Sequence, residues 1–432
     1  MRKRLTINAA GAIAFALASF ALAQTLPESS SDDHLGVASC SNSVCHGKVA
    51  KDESSNVWLN EYRVWLREDY HSRAYRTLLT DQSKTIARKL GIGAAHTAKM
   101  CLDCHADNVP ADTRGRRFQI TDGVSCESCH GGSERWIETH TEPGVSHADN
   151  LAKGMYPTED AAARAKLCLS CHLGTKDKFA THKIMGAGHP RLSFELETFT
   201  ANQPAHYSVD ADYKQRKGGI PSVNMWLAGL AYTGKQSMDL LQSPLFSESS
   251  LFPELSFFDC HACHHPMSDI RWAPQKASRG LPPGVVRLND ASITVLISVL
   301  DYLKPEQAGQ LSSQLRALHA AARKSSSAVV EQAAQTARLL DTLASDLAAR
   351  NYSIADKKAL RMSLLKKSST GEYRDFSSAE QVFLAVETLC ISLGESDKHA
   401  AWLDKLFATV EDEDKYVPKS FAVIANQFSK AL

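Results

Sequence analysis

The sequence lacks an excess of charge of either sign and, after its first residues, any long hydrophobic run. It contains 49 Lys and Arg against 48 Asp and Glu in 432 residues, a formal net charge of +1. Without a basic excess, nucleic acid is not an expected partner. Beyond the N-terminus no stretch approaches the roughly 20 apolar residues of a membrane-spanning helix. We therefore predict a protein that does not itself span a membrane.

The N-terminus has the pattern of a secretory signal peptide. Arg2-Lys3-Arg4 is followed by an apolar stretch from Ala9 to Leu22, and Ala21-Leu22-Ala23 forms an A-x-A cleavage signal. We expect residues 1–23 to be removed after Ala23, which predicts a periplasmic location. Loss of the three basic residues leaves a mature charge of +1 − 3 = −2. A redox partner with a basic rim is then plausible.

Eleven cysteines are present, and eight of them form four copies of Cys-x-x-Cys-His. Two thiols at this spacing can each bond one vinyl group of the same haem, and the following imidazole can then reach the iron. The pattern is typical of covalent haem c attachment. A zinc site would not require the histidine after every pair. These copies are Cys101/Cys104/His105, Cys126/Cys129/His130, Cys168/Cys171/His172 and Cys260/Cys263/His264.

A looser copy, Cys40 and Cys45 followed by His46, has four residues between its thiols. Its spacing still lets both sulfurs reach one porphyrin edge, whereas the competing interpretation is a local disulfide beside an unrelated histidine. We number the motifs one to five in chain order, so this copy is the first. Five pairs leave only Cys390, which we expect to be a buried structural thiol.

The chain divides into regions of different composition. Residues 24–272 hold every motif, at about fifty residues per haem, so the haems must pack against one another and form much of the apolar core. A Pro/Gly-rich linker is expected over 273–288 and a haem-free helical domain over 289–432. We therefore predict a mainly α fold: a multihaem cytochrome c domain with little β structure, followed by an all-α helical bundle.

The helical domain carries local signals of helix ends. Asn289 or Asp290 can cap a helix that Pro305 stops. Ser377 and Glu380 fit a capping box, and Gly394 can close the helix that follows. The Ala-rich stretch 328–349 predicts a closely packed helix.

Each iron keeps one position beyond its motif histidine. If a second histidine fills it, the iron is six-coordinate and suits electron transfer, whereas an empty position can bind a small substrate. The haem region has ten spare histidines for five irons. The stronger candidates are His71, His96, His140, His182, His189 and His206; the weaker ones are His34, His147, His261 and His265.

Four segments resemble a known family: Trp65 through Ala74, Met100 through His105, Gly123 through Gly131 with His140 after it, and Leu167 through Leu173. The chain resembles the multihaem cytochromes typified by the tetrahaem electron carrier of bacterial hydroxylamine oxidation, relatives of hydroxylamine oxidoreductase. It departs from them by a longer first motif, a fifth motif and the helical domain.

The resemblance implies that isolated histidines serve haems elsewhere in the chain. His71 would serve the haem of His130, and His140 the haem of His46. The haem of His105 would be the one with an open position, unless His96 closes it.

Two function classes remain open. The favoured one is a carrier with five covalent haem c groups, which exchanges electrons with redox partners in the periplasm or at the membrane surface. The alternative is an oxidoreductase that acts on a small nitrogen or sulfur oxyanion at one open haem. No Cys-x-x-Cys-Lys motif is present, and five sites match neither eight-haem enzyme type. The oligomeric state, including a homo-oligomer, is left open.

Overall fold

The structure, a computed structural model, describes residues 25–50, 57–206, 211–217, 221–247, 253–264, 282 and 287–432. Within these ranges the secondary structure is helical. The β pairing there consists of two isolated bridges, His34 with Arg114 and Phe258 with Leu288. The predicted mainly α fold is confirmed. The proposed signal peptide and most of the proposed linker lie outside the described residues.

Short helices separated by loops make up most of the haem region, with the 20-residue helix Ser222–Leu241 as the exception. Its α-helices are Glu61–Glu68 (α1), Ala74–Thr77 (α2), Asp81–Leu90 (α3), Lys99–His105 (α4), Cys126–His130 (α5), His147–Ala152 (α6), Ala161–His172 (α7), His182–Ala187 (α8), Leu196–Asn202 (α9), Ala211–Lys217 (α10), Ser222–Leu241 (α11) and Pro244–Ser247 (α12).

Longer helices follow. They are Ala291–Leu303 (α13), Pro305–Ala321 (α14), Ser326–Ala349 (α15), Ile354–Ser369 (α16), Phe376–Leu393 (α17), Ser396–Phe407 (α18) and Pro418–Ala431 (α19).

Most predicted helix ends lie where the structure has them, although Asp290 makes no side-chain capping hydrogen bond to its helix. Helix α13 begins after Asp290, and α17 ends at Gly394 with a φ of 67°. The predicted capping box at Ser377 and Glu380 is wrong. Helix α17 begins two residues earlier than that box implies, and Asp375 caps it by accepting a hydrogen bond from the Ser378 amide at 2.7 Å. Glu380 is therefore free to bind elsewhere.

One continuous apolar core contains side chains from Ala161 to Phe428. Helix α11 lies at its centre and packs against α7, α9, α13, α15 and α17. Gly229 of α11 allows this close packing, because a Cβ there would lie 2.5 Å from the Cβ of Leu196. The domain boundary at residue 289 stays a prediction, and the core itself extends across it.

The haem region before Ala161 has little apolar core of its own. Its hydrophobic cluster consists of Leu78, Ala87, Ala95, Leu102 and Ala106. Beside this cluster lies a connected cavity of about 2050 Å³, larger than the 300–1,000 Å³ of ordinary ligand sites. The arrangement agrees with a core completed by flat cofactors.

By length and composition, one described helix could cross a membrane. It is Phe376–Leu393, and 56% of its apolar window is buried inside the protein. The expectation that no stretch after the N-terminus is long and apolar enough to span a membrane is therefore corrected for this helix. Burial of this kind is also found in core helices.

Candidate haem-binding site

Short helices and turns present the motif residues. The second motif ends α4, the third forms α5 and the fourth ends α7. On a helix, residues three apart lie on the same face, so both sulfurs of each pair can point toward one porphyrin edge. The fifth motif begins in a 3-10 turn over Cys260–Ala262. The first lies in a looser turn, as its longer spacing requires.

Each of the five motif histidines faces a second histidine from another part of the chain. The distances between ring centroids fall between 6.0 and 6.4 Å. The pairs are His46 with His140 at 6.2 Å, His105 with His189 at 6.4 Å, His130 with His206 at 6.4 Å, His172 with His71 at 6.2 Å, and His264 with His182 at 6.0 Å.

These distances fit one iron between two imidazoles. A metal–nitrogen bond of about 2.0 Å plus about 1 Å from the nitrogen to the ring centre gives roughly 3 Å on each side. Twice that value is close to the observed separations. Aromatic rings in ordinary contact take centroid distances anywhere between about 4.5 and 7 Å, so a nearly constant value over five pairs favours a shared metal. The ligation itself stays a prediction.

The Nδ1 atoms of five of these rings are bonded within the protein, which leaves Nε2 for a metal. A ligating histidine commonly donates its other N–H to a carboxylate or a backbone carbonyl. The Nδ1 contacts are His46 to Glu61 at 3.0 Å, His71 to Asp69 at 2.9 Å, His105 to the Ala74 carbonyl at 3.2 Å, His140 to the Ile137 carbonyl at 2.6 Å, and His189 to the Pro190 carbonyl at 2.8 Å.

Burial keeps several candidate ligands neutral, as a metal ligand must be. Burial and the nearby His71 lower the pKa of His172 to about 4. Burial also lowers the pKa values of His105, His140 and His206. In these rings desolvation penalises the charged form.

His46 and His71 have raised pKa values, because each is hydrogen-bonded to a carboxylate. The hydrogen bond to Glu61 raises the pKa of His46. Burial lowers the pKa of His71, but the bond to Asp69 outweighs burial, so the net pKa is raised. Carboxylate partners make an imidazole a more basic ligand. Glu61 and Asp69 are therefore candidate functional residues that the sequence reasoning missed, although the Asp-x-His spacing at residues 69–71 was a signal for the second.

The motifs adjoin one another through their cysteines. The thiols of Cys40 and Cys126 lie close enough to shift each other's pKa, which places motifs one and three side by side. The thiols of Cys104 and Cys171 link motifs two and four in the same way. The 2050 Å³ cavity is lined by the cysteines of the first four motifs and by both histidines of their four pairs.

The fifth motif differs from this arrangement, and Cys263 shows the difference most clearly. Cys263 is exposed, as is the adjacent His264, whereas the cysteines of the other motifs are half-buried. Neither Cys260 nor Cys263 lines the large cavity, and neither do His182 and His264. That all the haems pack together in one core therefore stays a prediction for the fifth site. Cys263 follows a 3-10 turn over Cys260–Ala262, and His261 of that turn packs against Phe376 of the helical domain.

The exposure of Cys263 is compatible with its proposed role in haem attachment. A thioether needs the sulfur at a porphyrin edge, and that edge can face solvent while the opposite edge is covered. Cys260, on the other side of the turn, is half-buried near Arg191 and Glu413. Attachment at Cys260 and Cys263 stays a prediction.

Several predicted candidates lie away from the motif histidines. His96 contacts Tyr75, with ring centroids 6.4 Å apart. His147 uses its Nε2 on Glu159 at 2.5 Å, and the buried His34 bonds Asp107 at 2.9 Å. His261 packs against Phe376. His265 lies outside the described residues.

Two implied assignments differ from the structure. His71 faces His172 of the fourth motif, not His130, because the turn at residues 70–73 lies beside the end of α7. The His105 iron position, expected to be open, is faced by His189, because α8 packs against α3. The assignment of His140 to His46 agrees with the observed pair.

Residues 39–131 match the family model of cytochrome c554 and c-prime. The match supports a multihaem cytochrome c. It covers the first three motifs and His71, and this family implies covalently bound haem c. The fourth and fifth motifs lie beyond the matched residues, so five haems remain a prediction, as does the relationship to hydroxylamine oxidoreductase. No curated protein and no solved structure matches the chain.

Proposed function

We propose that this cytochrome is a periplasmic pentahaem carrier that transfers electrons between a quinol-linked or dehydrogenase donor and a redox protein partner. The proposal depends on one observation. Every motif histidine faces a second imidazole across a space that would fit one iron. With both axial positions filled, an iron changes oxidation state with little rearrangement and binds no substrate.

The contacts between motifs support a route for electrons. Motif one adjoins motif three at Cys40 and Cys126, and motif two adjoins motif four at Cys104 and Cys171. Burial raises the pKa of Cys129, and the nearby thiols of Cys168 and Cys171 add to that rise, so motifs three and four are also near neighbours. Haems attached there would form a chain in the order one, three, four, two.

The fifth haem would connect to this chain through the second. Its distal candidate His182 and the second haem's distal candidate His189 are carried by one segment, at and just after α8. Because Cys263 and His264 are exposed, the fifth haem would also be the one most open to a redox partner. Haem c supplies the redox chemistry, and the protein sets each potential through ligands, hydrogen bonds and burial.

One histidine pair, His105 with His189, argues against the alternative function as an oxidoreductase. An oxidoreductase for a small oxyanion would need one open iron, and the haem of His105 was the expected place for it. The pairing of His105 with His189 argues against that class.

A redox titration with ligand challenge tests the proposal. We expect the purified protein to accept five electrons per chain. We also expect the Soret spectra of both oxidation states to be unchanged by nitrite, hydroxylamine or tetrathionate. Turnover of any of these compounds, with a ligand-dependent spectral shift in the wild-type protein, would replace the carrier by the enzyme.

A further inference from the structure

One short segment carries the distal candidates of two haems and lies against the C-terminal helices. His182 stands in the first turn of α8 and faces His264, and His189 follows the helix and faces His105. The chain after His189 has no regular secondary structure until α9 begins at Leu196. The contacts that fix this stretch therefore determine where the His189 ring lies.

On the haem side, α8 itself packs against α3, but few hydrogen bonds fix the chain that follows it. Gln82 of α3 donates a hydrogen bond to the Gly188 carbonyl at 3.3 Å, and this contact is exposed. The Nδ1 of His189 donates to the carbonyl of Pro190, the next residue, so this bond adds no anchor to another element. The histidine itself is only half-buried. These contacts alone give little restraint.

On the other side, Arg191 ties the segment to the helical domain. Its Nε donates to Glu413 at 2.6 Å, and its Nη2 lies 3.5 Å from the Glu380 carboxylate. The guanidinium also lies 5.2 Å from the ring centre of Phe376. Ser193 adds a hydrogen bond to the same Glu380 carboxylate at 2.7 Å. Both carboxylates come from the region after residue 289.

The Arg191 cluster is more sheltered than an ordinary surface ion pair. The side chains of Arg191, Glu380 and Glu413 are 23%, 19% and 29% exposed. Partly buried pairs are screened less by salt than exposed ones. A planar guanidinium that contacts two carboxylates and a ring also has a fixed orientation. The cluster can therefore hold the backbone two residues from His189 in one place.

We propose that Arg191 is a positioning residue that seats His189 opposite His105, so that Glu380 and Glu413 of the helical domain keep the second haem six-coordinate. This inference rests on the proposed function, since it assumes a haem between these two rings. It assigns a role to the helical domain, which carries no haem motif. Loss of the cluster would let His189 leave its position more often and a small ligand take it.

Carbon monoxide binding to the reduced full-length protein tests this role. The test variant is Glu380→Gln with Glu413→Gln, which keeps both side-chain shapes and removes both charges. The matched control is Asp346→Asn, which removes an exposed ion pair with Lys304 in the same domain. The reference for an open haem is His189→Ala. Haem content and far-ultraviolet circular dichroism show that each variant is folded and loaded.

We expect His189→Ala to bind one equivalent of carbon monoxide per chain. The double variant should bind carbon monoxide at the second haem with an apparent affinity about tenfold above that of wild type. The reason is that His189, which competes for the iron, would occupy its position for a smaller fraction of the time. Asp346→Asn should match wild type. Arg191→Lys keeps the charge without the forked geometry, and we expect it to fall between wild type and the double variant.

Two results would overturn the proposal in distinguishable ways. If His189→Ala opens one haem but the double variant and Arg191→Lys bind carbon monoxide like wild type, the positioning role is wrong and the ligand pairs stand. If His189→Ala itself leaves carbon monoxide binding unchanged, the pairing of His189 with His105 is wrong, and the proposed function loses its main support.

Discussion

At the scale of single residues, the hydrogen-bond partners of the imidazoles separate the candidate ligands into two kinds. His46 and His71 bond to carboxylates, whereas His105, His140 and His189 bond to backbone carbonyls. A more basic ligand stabilises ferric iron and lowers the reduction potential. We therefore expect the haems of motifs one and four to have lower potentials than the haem of motif two.

Asp69→Asn tests this ranking. Asp69 is buried and accepts from the Nδ1 of His71 at 2.9 Å. Asparagine can still accept that bond but carries no charge, so the imidazole becomes a weaker ligand. We expect one haem potential to rise by on the order of tens of millivolts, as measured by spectroelectrochemistry, with all haems still attached.

The control for Asp69→Asn is Asp81→Asn, which removes the same charge from an exposed position on α3. It should leave every potential nearly unchanged. Equal shifts in both variants would mean that Asp69 acts only through net charge and that its bond to His71 has no special effect.

The sequence predicted the motif residues but only part of the pairing. Cys-x-x-Cys-His is a local pattern, so its residues could be recognised without a fold. The partner of a ring depends on which segments pack together: His189 reaches His105 because α8 lies on α3, and no spacing in the chain encodes that contact. The exposure of Cys263 depends on tertiary packing in the same way. Arg191 and Glu413 are 222 residues apart in the chain, which explains why sequence reasoning missed them.

At the scale of helices, α11 is the element on which the others pack. Gly229→Ala should destabilise the protein, because the new Cβ would lie 2.5 Å from the Cβ of Leu196 and one of the two helices must move. We expect a loss of about 1–3 kcal/mol in the free energy of unfolding, measured by denaturant titration.

Gly309→Ala in α14 is the matched control for Gly229→Ala. No atom lies within 4 Å of the corresponding Cβ position, and alanine favours a helix over glycine by about 1 kcal/mol. Its stability should therefore rise. If both variants gained stability, the close packing of α9 on α11 would be wrong.

A buried cluster of charges joins the fifth motif to the helical domain. Asp259, next to Cys260, is near Asp375, Asp290 and Arg287, and His319 bonds Asp290 at 2.7 Å. Burial, with the added repulsion of Asp375, raises the pKa of Asp259 to about 7. One carboxyl group at this junction therefore holds a proton close to neutral pH.

The raised pKa of Asp259 gives a pH dependence of stability with a definite sign. The ordinary value of 3.8 applies to the unfolded chain and about 7 to the folded one, so the folded state binds the proton more tightly. Its contribution to stability is full below about pH 4 and is lost as the pH rises through 7.

Asp259→Asn should remove this contribution. We expect its free energy of unfolding, measured by denaturant titration at several pH values, to change less between pH 4 and 7 than that of wild type. Asp177→Asn, at an exposed position, should retain the wild-type slope. An unchanged slope in Asp259→Asn would contradict the raised pKa.

The helix ends show which parts of the fold were readable from sequence. Gly394 and Pro305 act through their own backbone, so they marked ends correctly. The capping box at Ser377 and Glu380 failed because Asp375 captures the Ser378 amide and Glu380 is drawn to Arg191 and Ser193. A tertiary contact outweighed a local pattern.

At the scale of the whole molecule, the two halves obtain their cores differently. The helices after Ala161 bury one continuous apolar cluster, whereas the earlier region has a small cluster of five apolar residues beside a cavity of about 2050 Å³. The first four haems would complete the core of that region. The polypeptide there would then act mainly as a scaffold for cofactors.

Mass spectrometry of protein matured with the haem-attachment machinery should show five haem additions. Cys40→Ser with Cys45→Ser should show four, since it removes only the first site, and Cys260→Ser with Cys263→Ser should show four for the same reason at the fifth. Cys390→Ser should still show five, because that buried thiol belongs to no motif. Four additions in the wild-type protein would mean that one motif holds no haem, and the double variant that leaves the count at four would identify it.

The central claim is that every iron in this protein is held between two histidines. Electron paramagnetic resonance of the fully oxidised protein, recorded with and without nitrite and hydroxylamine, tests it most directly. The account predicts low-spin ferric signals that integrate to five irons per chain and do not respond to either compound. A high-spin signal that changes when one of them is added would contradict it.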